Sequence, residues 1–454
     1  MLTVGFDLDL TLVDSRPSVV AVAELLAQEY GVAIDGHLWA SRLGPPLEQE
    51  LAHWVAPELV DEVADRYRAL MREHGVALSV ALPGAAEAVE AVRRHGRAVV
   101  VTAKQKALAE QTLAFLGIEV DAVHGWLWGP KKAEALLAEC ATVYVGDHPH
   151  DVDGARAAGA VSIGVRTGGS EPAGADVVLD DLTAFPEELV LHELRQLGSV
   201  LVAFSGGADS AFVLAAAVRA LGPDNVVAAT AVSPALAQAE LPAAVAFAES
   251  LGVRHRTPGT DELSREGYVA NGTDRCFHCK ATLVDTLRPL AADLGLAHVV
   301  TGTNADDLVA GFRPGIRAAA ERGAVTPLRW LTKAQVRAAS ARWGLVTADK
   351  PALACLASRI AYGLEVTTQR LSRVDRAETA LRALLAPRDV RVRVLDDTTA
   401  RVELDPAALS RWSSAAADVV RAEGFTTVET REFRSGSMND AIGSQAQAPT
   451  RSGS

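Results

Sequence analysis

The sequence predicts an α/β protein with two parallel-sheet units followed by a small α+β unit. Short valine-rich runs alternate with longer amphipathic stretches, which is typical of a parallel sheet covered by helices. The alternation starts at residue 1, starts again at Val200, and changes character after Gly363. The length of 454 residues also exceeds what one core usually holds. We therefore expect two or three compact units.

The first unit is expected to span residues 1–192. Apolar runs at residues 98–101 and 142–145 predict strands of a parallel sheet. Between about residues 15 and 81 the sequence has no strand-like run and shows only amphipathic pattern, as at residues 19–30 and 59–74. This segment is predicted to be a helical cap inserted into the first unit.

The second unit is expected to span residues 198–366. Its apolar runs have the character of buried strands in a parallel sheet. The boundary with the first unit is expected near residues 191–198. The predicted strands are residues 200–204, 226–228 and 298–300.

A third, small α+β unit is expected over residues 367–434. A long charged stretch predicts a helix, and strand-like runs follow it. The tail, residues 435–454, is rich in Ser, Gly, Gln and Ala and is expected to be disordered. The predicted elements are a helix at 368–385 and strands at 390–395, 400–404 and near 426–429.

Composition and charge exclude several classes of function. The chain has 44 basic and 57 acidic side chains, a balance of −13, so a polyanion such as nucleic acid is a disfavoured partner. No uncharged run reaches the ~20 residues of a membrane span, and the start has no basic n-region. We expect a cytoplasmic protein with no membrane partner. The oligomeric state, including a homo-oligomer, stays open.

Charged and hydroxyl side chains stand where strands of the first unit are expected to end. Ligands of open α/β sheets bind at that edge. Two carboxylates two positions apart, such as Asp7 and Asp9, can divide nucleophilic attack and proton transfer between them. Carboxylate oxygens also suit Mg²⁺, and a hydroxyl and an ammonium can hold phosphate. The residues concerned are Asp7, Asp9, Thr102, Lys131, Lys132, Asp147 and Asp151.

The order and placement of these residues resemble the haloacid dehalogenase (HAD) superfamily, in its branch with a helical cap. The resemblance covers residues 1–192 and implies a Rossmann-like fold, Mg²⁺ and a phosphorylated small molecule as substrate. It leaves the choice between the two lysines open. The resemblance implies that Asp7 is the nucleophile and Asp9 the general acid/base. Thr102 and either Lys131 or Lys132 would hold the phosphate. The implied metal ligands are Asp7, Asp9, Asp147 and Asp151.

A glycine-rich turn follows the strand predicted at residues 200–204. It reads SGGADS and precedes an apolar helical run. Glycines let backbone amides approach phosphate oxygens, and the helix N-terminus adds partial positive charge. The pattern resembles the PP-loop ATPases, with their adenine-nucleotide α-hydrolase-like sheet, which cleave ATP to AMP and pyrophosphate. The expected ATP-binding residues are Ser205, Gly206, Gly207, Asp209 and Ser210.

Three of the four cysteines form a candidate site. Cys276 and Cys279 make a CxxC pair, and Cys355 follows 76 residues after the second of them. Three thiolates can hold three irons of a [4Fe–4S] cluster and leave the fourth iron open. A zinc site with His278 as fourth ligand, or three structural cysteines, stay open as alternatives. Cys140 lies on an amphipathic pattern in the first unit and is expected to be a core residue.

A series of short motifs runs through the second unit in a fixed order. Together they resemble the ATP-dependent sulfur transferases that build the nickel-pincer nucleotide cofactor of lactate racemase. The likeness spans residues 200–433, and the segment around Cys355 is its most specific part. The motifs are TGTNADD at 301–307, RPG at 313–315, PL at 327–328, LTK at 331–333, DKPA at 349–352, ACLASR at 354–359 and YG at 362–363.

This resemblance implies a pyridinium-3,5-dicarboxylate mononucleotide as substrate, adenylated at one carboxylate and converted to a thiocarboxylate. Cys355 matches the sulfur-bearing position. Because all three cysteines are present, we favour the version in which a [4Fe–4S] cluster relays an added sulfide. The version in which Cys355 gives up its own sulfur and becomes dehydroalanine stays open.

Further residues take expected roles from the same resemblance. Arg391 and Arg393 are two apart on a predicted strand, so they face one side and suit a substrate phosphate. Arg359 is expected near the reacting carboxylate. The nucleotide or its Mg²⁺ is expected near Asn304, Asp306 and Asp307.

Three rival functions remain in view. Other PP-loop enzymes thiolate tRNA, but such an enzyme should display a basic face or an RNA-binding module. An amidating synthetase would use ammonia, and no glutaminase-like segment is present. A phosphatase whose second half only senses nucleotide would bind ATP without thiolating a substrate.

Overall fold

The computed structural model describes residues 2–351 and 354–434 of the chain. The chain divides into two compact units between Leu189 and Val190. The tail expected to be disordered, and Ala352 of the DKPA motif, lie outside the described residues. No helix of the described part is both long enough and apolar enough to cross a membrane.

The first unit contains a parallel sheet of strand order β5-β4-β1-β6-β7-β8. The strands expected at residues 98–101 and 142–145 are confirmed as β4 and β6, and they flank β1 on its two sides. A two-stranded antiparallel pair, β2 with β3, stands apart from this sheet. The strands are β1 Leu2–Phe6, β2 Val13–Asp14, β3 Val80–Ala81, β4 Gly96–Val101, β5 Ala122–His124, β6 Val143–Gly146, β7 Val161–Val165 and β8 Val177–Leu179.

Helices between β2 and β3 form a separate small core. Val22, Leu26, Trp39, Leu51 and Met71 are fully or almost fully buried there. Pro17 in the first turn of α1 and a left-handed Gly31 after its last residue mark that helix's two ends. The helices of the first unit are α1 Arg16–Tyr30, α2 Gly36–Ala40, α3 Leu47–Leu51, α4 Val60–Leu70, α5 Ala85–Arg93, α6 Lys106–Leu116, α7 Lys132–Ala138 and α8 Pro149–Ala158, and α9 Phe185–Leu197 crosses the division.

Cys140 is not a core residue, so that expectation is wrong. Helix α7 ends at Ala138, and Cys140 lies in the turn after it with an exposed side chain and φ of 52°. The amphipathic pattern suggested one further helical turn. The chain instead leaves the helix here to enter β6, which turns the thiol towards solvent.

The second unit begins with a parallel sheet of order β11-β10-β9-β12. All three strands expected in this region are confirmed, and β11 is an addition whose three residues are all basic or polar and gave no apolar run. The strands are β9 Val200–Ala203, β10 Val226–Ala229, β11 Arg254–Arg256 and β12 His298–Val300. The helices are α10 Ala208–Leu221, α11 Glu240–Ser250, α12 Glu266–Val269, α13 Arg275–Asp293, α14 Ala305–Val309, α15 Pro314–Glu321 and α16 Lys333–Arg342.

The last part of the second unit is a small α+β layer. Strand β14 pairs antiparallel with β13 and parallel with β15. The apolar faces of these strands and of α17 share one core with Leu356, Ala357 and Ile360. Its elements are α17 Thr368–Leu385, β13 Val390–Val394, β14 Thr399–Leu404, α18 Pro406–Leu409, α19 Ser414–Arg421 and β15 Thr427–Glu432.

Candidate active sites

The first candidate site lies at the carboxyl end of the sheet of the first unit. Asp7 directly follows β1, Asp147 directly follows β6, and Asp151 lies in the first turn of α8. Because β1 and β6 are adjacent and parallel, their ends meet at one edge. One carboxylate oxygen from each of these three aspartates lies within 4.8 Å of the others, and all three side chains are buried.

Lys132, and not Lys131, enters this cluster. The Lys132 Nζ atom lies 2.8 Å from Asp7 Oδ1 and 2.5 Å from Asp151 Oδ1. It also donates to the Tyr144 hydroxyl at 2.9 Å. Lys131 is exposed at the end of the short 3₁₀ turn that precedes α7. The first residue of the helix therefore points its ammonium at the aspartates.

The electrostatics of the cluster favour a bound cation. Burial raises the pKa of Asp7 to about 7, despite Lys132, and neighbouring carboxylates add to the rise. Burial, Asp151 and Asp7 raise the pKa of Asp147 well above its usual range. Burial lowers the pKa of Lys132, but the two carboxylates outweigh it and the pKa is raised. One ammonium does not balance three buried carboxylates, and a divalent cation with oxygen ligands would fit them.

Asp9 is held apart from the three-aspartate cluster by a lysine that sequence reasoning missed. Lys104 Nζ lies 2.6 Å from Asp9 Oδ1. The same lysine is fixed from the other side, because its backbone N–H donates to Thr102 Oγ1 at 3.2 Å. Thr102 itself is buried at the carboxyl end of β4. Lys104 lies two positions after Thr102 in the sequence, and this proximity is the signal that could have indicated Lys104.

Two further hydroxyls support the aspartates. Thr11 donates to Asp147 Oδ1 at 3.1 Å. Tyr144, on β6, donates to the Val101 carbonyl at 2.7 Å while accepting from Lys132. Both hydroxyls were missed because a threonine after β1 and a tyrosine within a strand have many ordinary structural uses.

A cavity of about 160 Å³ opens above these residues, between the sheet edge and the helical cap. The aspartates, Lys132 and Thr102 line one end of it. The cap and the loop after β5 line the rest, with Trp39, Tyr67, Trp126 and Trp128 among the lining side chains. A small phosphorylated molecule could therefore place its phosphate at the aspartates and its remaining part among aromatic rings.

The second candidate site is the glycine-rich turn between β9 and α10. Gly206 has φ of 75°, a conformation that favours glycine. The hydroxyls of Ser205 and Ser210 lie 3.1 Å apart, and Ser210 also donates to the Gly207 carbonyl at 3.0 Å. The turn therefore forms a compact loop at the N-terminus of a 14-residue helix. Such a loop presents backbone amides to an anion.

Two lysines that were not among the expected ligands reach this loop. Lys350 Nζ lies 3.0 Å from the Gly206 carbonyl and 3.0 Å from Glu240 Oε2. Lys333 forms a short ion pair with Asp209. Both lysines belong to motifs of the sulfur transferase resemblance, LTK and DKPA, so their presence in those motifs was the available signal. They bring positive charge to a phosphate-sized loop.

Asn304, Asp306 and Asp307 lie at the start of α14, after β12. Asn304 and Asp307 form a reciprocal capping box, with the Asp307 N–H donating to Asn304 Oδ1 at 3.1 Å. Asp306 Oδ2 accepts from the backbone N–H of Lys333 at 2.8 Å. Since β12 neighbours β9, this turn and the glycine-rich loop share one sheet edge. The three residues thus shape that edge through hydrogen bonds.

The third candidate site surrounds Cys355. This residue precedes a 3₁₀ turn, Leu356–Arg359, and its side chain is exposed while Leu356 and Ala357 are buried. The Leu356 N–H donates to the Ala235 carbonyl at 2.9 Å, in the loop that follows β10. Because β10 and β9 are adjacent and parallel, this anchor lies at the same sheet edge as the glycine-rich loop.

Cys276 and Cys279 lie in the first two turns of α13, and Cys355 influences Cys279 electrostatically. Burial raises the pKa of Cys279 to about 12, and Cys355 is the next largest cause. Arg275, buried beside them, has its pKa raised by Cys355 and Cys276 against the effect of burial. The three sulfurs do not form a group with all atoms within 4.8 Å of one another. Zinc would hold thiolates at about 3.8 Å, given Zn–S bonds of ~2.3 Å, so a closed zinc site is not assembled.

The expected arginines hold the backbone around Cys355. Arg359 pairs with Glu378 at 2.9 Å and donates to the Cys355 carbonyl at 3.1 Å. Arg393 pairs with Glu403 at 3.0 Å and donates to the Ser358 carbonyl at 2.8 Å. These arginines are buried, and their bonds fix the loop that carries the cysteine.

Arg391 lies on the same face of β13 as Arg393. Burial and the neighbouring Arg359 lower the pKa of Arg391 to about 10, against the opposing effect of Glu378. Its guanidinium also lies over the ring of Phe433, 5.2 Å from the centroid. That Arg391 holds a substrate phosphate stays a prediction.

Family comparisons agree with the two folds and define the class of protein. A model described as haloacid dehalogenase-like hydrolase matches residues 4–156, and one described as NAD synthase matches residues 180–267. The chain is therefore an enzyme that joins a HAD hydrolase domain with a Rossmann-like fold to a PP-loop domain with a parallel sheet, followed by a small domain with a sheet.

The particular family follows from two relatives. The uncharacterized protein slr1717 of Synechocystis is 42% identical over 271 residues, 98% of that protein and 56% of this chain. The pyridinium-3,5-bisthiocarboxylic acid mononucleotide synthase of Lactiplantibacillus plantarum is 35% identical over 264 residues, 94% of that protein and 57% of this chain. The chain belongs to the family of this synthase, and the HAD domain is joined to it.

A third relative matches a smaller part of the chain. The tyrosine-protein kinase PtkA of Mycobacterium tuberculosis is 30% identical over 183 residues, 36% of this chain. The match spans 61% of that relative.

Proposed function

We propose that the second unit is an ATP-dependent sulfur transferase. It adenylates one carboxylate of pyridinium-3,5-dicarboxylate mononucleotide and converts it to a thiocarboxylate, as a step towards the nickel-pincer cofactor. The observation that carries the proposal is that Cys355 and the glycine-rich loop are joined through Lys350. Lys350 contacts the loop at Gly206, and Cys355 lies five positions further along the chain. At ~3.3–3.6 Å per residue, the Cα atoms of Lys350 and Cys355 are at most about 18 Å apart.

The proposed reaction has two steps. ATP binds with its phosphates on the amides of the 205–210 loop, and the substrate carboxylate oxygen attacks the α-phosphorus. The bond between the α- and β-phosphates breaks, pyrophosphate leaves, and an acyl-adenylate forms. Lys350 and Lys333 stabilise the negative charge that develops on the phosphates. A sulfur nucleophile then attacks the acyl carbon, and AMP departs with the electrons of the carbon–oxygen bond.

The cysteines fit two sources of sulfur. Cys355 has an exposed sulfur on a loop that Arg359 and Arg393 fix, which suits direct donation and would leave dehydroalanine. The three thiols of Cys276, Cys279 and Cys355 also fit three ligands of a [4Fe–4S] cluster. Bound iron would offset the repulsion between their thiolates. When bound, such a cluster would supply an open iron for added sulfide. We favour the cluster.

The first unit is proposed to be a phosphohydrolase. Asp7 attacks phosphorus, Asp9 transfers the proton, and Lys132 with Thr102 holds phosphate oxygens. Asp7, Asp147 and Asp151 would hold Mg²⁺, which would supply positive charge to the phosphate and the aspartates. In the free protein Lys104 keeps Asp9 fixed by its ion pair, so the proton-transfer group is already ordered before substrate binds.

An anaerobic turnover experiment tests the sulfur transfer. The full chain, reconstituted with iron and sulfide, is given ATP, Mg²⁺ and the pyridinium dicarboxylate mononucleotide. We expect AMP and pyrophosphate, and a product mass in which sulfur replaces one carboxylate oxygen. Cys355→Ser should form no thio product, whereas Cys140→Ser, which changes another exposed cysteine, should match the wild type.

The mass of the protein separates the two sulfur sources. Loss of the elements of hydrogen sulfide from Cys355 after one turnover indicates direct donation, and an unchanged mass with repeated turnover indicates relay. ADP and phosphate as products, or a thio product from Cys355→Ser, would contradict the proposal.

A further inference from the structure

The cavity of the first unit has a chemical character that defines the substrate beyond its phosphate. The aspartates and Lys132 line it on the side of the sheet. The cap and the loop after β5 add four aromatic side chains, Trp39, Tyr67, Trp126 and Trp128. Trp39 and Tyr67 are stacked on each other, with ring centroids 5.1 Å apart, so the cap wall is a rigid aromatic surface. An aliphatic leaving group does not require such a concentration of rings.

The charges of the cap wall are already paired. Arg42 forms an ion pair with Glu50 at 2.6 Å, and Arg68 pairs with Glu48. Each arginine that lines the cavity therefore has a carboxylate partner from the same cap. The wall has no excess of positive charge for a second anionic group on the substrate. It fits a ring that is neutral or carries little charge.

Trp126 is placed by the backbone at a conformational cost. Its φ is 65°, which is uncommon for a bulky side chain, and 52% of its surface is exposed. The preceding Gly125 allows the tight turn, since a Cβ there would overlap the backbone nitrogen of Lys106. The Trp126 N–H donates to the Lys104 carbonyl at 3.0 Å. A strained and exposed tryptophan contributes little to a core, and such strain tends to occur at functional sites.

The Trp126 ring lines the cavity and has a cation against it. The Arg68 guanidinium lies 4.6 Å from the centroid of the Trp126 ring. A planar group entering the cavity could stack on the tryptophan, to which Arg68 adds a cation–π contact. The same lysine that anchors the Trp126 backbone, Lys104, pairs with Asp9. Ring recognition and the proton-transfer residue are therefore held by one residue.

We propose that this cavity takes phosphomonoesters whose leaving group carries a planar ring, and that Trp126 is the residue that selects the ring. The inference rests on the proposed phosphohydrolase activity and narrows its substrate class. Mononucleotides and aryl-containing phosphates share the required chemistry, and the experiment distinguishes them.

Phosphate release by the full chain with Mg²⁺ tests the inference with two matched pairs. Uridine 5′-phosphate and ribose 5-phosphate differ by the ring of a nucleotide. Benzyl phosphate and cyclohexylmethyl phosphate differ by planarity at similar leaving-group basicity. We expect kcat/KM to be about tenfold or more higher for the member with the planar ring, uridine 5′-phosphate or benzyl phosphate, in at least one pair. Base–aromatic stacking supplies an effect of this size. Preference within the first pair alone indicates a nucleotide, and within both indicates any planar ring.

Variants separate stacking from general damage. Trp126→Ala should lower kcat/KM for the ring-bearing substrate about tenfold and leave ribose 5-phosphate within about twofold, and Trp126→Phe should restore most of the preference. Phe115→Ala removes an aromatic side chain that is 53% exposed outside the cavity, and it should behave as wild type. Equal rates within both pairs, or an equal loss for all substrates in Trp126→Ala, would overturn the inference.

A binding measurement keeps the inference independent of turnover. Asp7→Asn lacks the proposed nucleophile, so calorimetry on this variant reports affinity alone. Tighter binding of uridine 5′-phosphate than of ribose 5-phosphate, lost in Asp7→Asn/Trp126→Ala, supports the ring site. If that holds while the wild type hydrolyses no substrate, the phosphohydrolase proposal fails and the ring site stands. Equal affinities of the two ligands refute the ring site whatever the rates are.

Discussion

Mg²⁺ binding to the first unit should depend on pH, because the metal must displace a proton from the buried aspartates. Burial raises the pKa of Asp7 from 3.8 to about 7. This rise corresponds to roughly 4 kcal/mol, at ~1.4 kcal/mol for each tenfold change in proton affinity. Between these two pKa values the folded protein binds more protons than the unfolded chain. The contribution of Asp7 to the stability of the metal-free protein is therefore present in acid and lost as the pH rises through about 7.

The metal should reverse this loss. Above about pH 7 Asp7 is ionised and Mg²⁺ binds without displacing its proton, so the apparent Kd should level off there. Below about pH 7 the Kd should rise, approaching tenfold for each pH unit, which gives roughly fifteenfold between pH 7, where Asp7 is half protonated, and pH 5.5. The raised pKa of Asp147 should make the dependence steeper. Bound Mg²⁺ should consequently stabilise the first unit more at pH 8 than at pH 5.5.

Isothermal calorimetry measures this directly. Mg²⁺ is titrated into the full chain without ATP, in pairs of buffers with different ionisation enthalpies, so that the protons released can be counted. We expect about one proton or more below pH 7 and a smaller release above it. Asp7→Asn should flatten the dependence. A Kd that changes less than about threefold between pH 5.5 and 7, with no proton release, would refute the reasoning.

Three further predictions concern single side chains. Lys132→Met should destabilise the metal-free protein by about 3–5 kcal/mol at pH 7, because it leaves buried carboxylates unpaired. The control Lys131→Met, at an exposed position, should change the free energy of unfolding by less than about 0.5 kcal/mol. Similar urea midpoints for the two variants would contradict this. Iodoacetamide at about pH 8 should modify exposed Cys276 in the metal-free protein at least about 100-fold faster than half-buried Cys279, whose pKa is raised to about 12, and peptide mass mapping that finds equal rates would contradict the raised pKa of Cys279. Asn271→Ala should cost about 2–4 kcal/mol in urea unfolding, since the Asn271 amide donates to two backbone carbonyls at 2.8 Å from a fully buried position, and a loss below about 0.5 kcal/mol would show that water replaces those bonds.

The sequence was sufficient to predict the most apolar strands and the residues that follow them, but not the short strands β5, β8 and β11. Asp7 and Asp147 are far apart in the chain, but both directly follow apolar runs, and a parallel sheet brings such positions to one edge. The glycine-rich turn was predictable for the same reason. The helix expected at residues 368–385 is found at the same residues, because its charged and apolar positions repeat with helical period over many turns.

The details that decide chemistry were not available from the pattern. Lys131 and Lys132 are adjacent and identical in type, and only the start of α7 determines which ammonium enters the cluster. The nearness of Lys104 to Thr102 and the place of Lys350 in the DKPA motif could have drawn attention to both lysines, but only the tertiary structure shows that they contact Asp9 and Gly206. For Cys140 the pattern predicted too much. The amphipathic periodicity of the sequence continues beyond Ala138, where α7 ends, so a core position was expected for an exposed residue.

Buried ion pairs of two arginines fix the loop that carries the exposed Cys355. Arg359 and Arg393 each form an ion pair with a buried glutamate, and such pairs are poor sources of stability because desolvation offsets the attraction. Their remaining N–H groups donate to backbone carbonyls around Cys355, whose side chain is exposed. An apolar core would stabilise the fold at least as well, but it could not hold those carbonyls. The network is therefore better explained by a need to fix the position of the Cys355 loop, as the proposed sulfur transfer requires, than by stability.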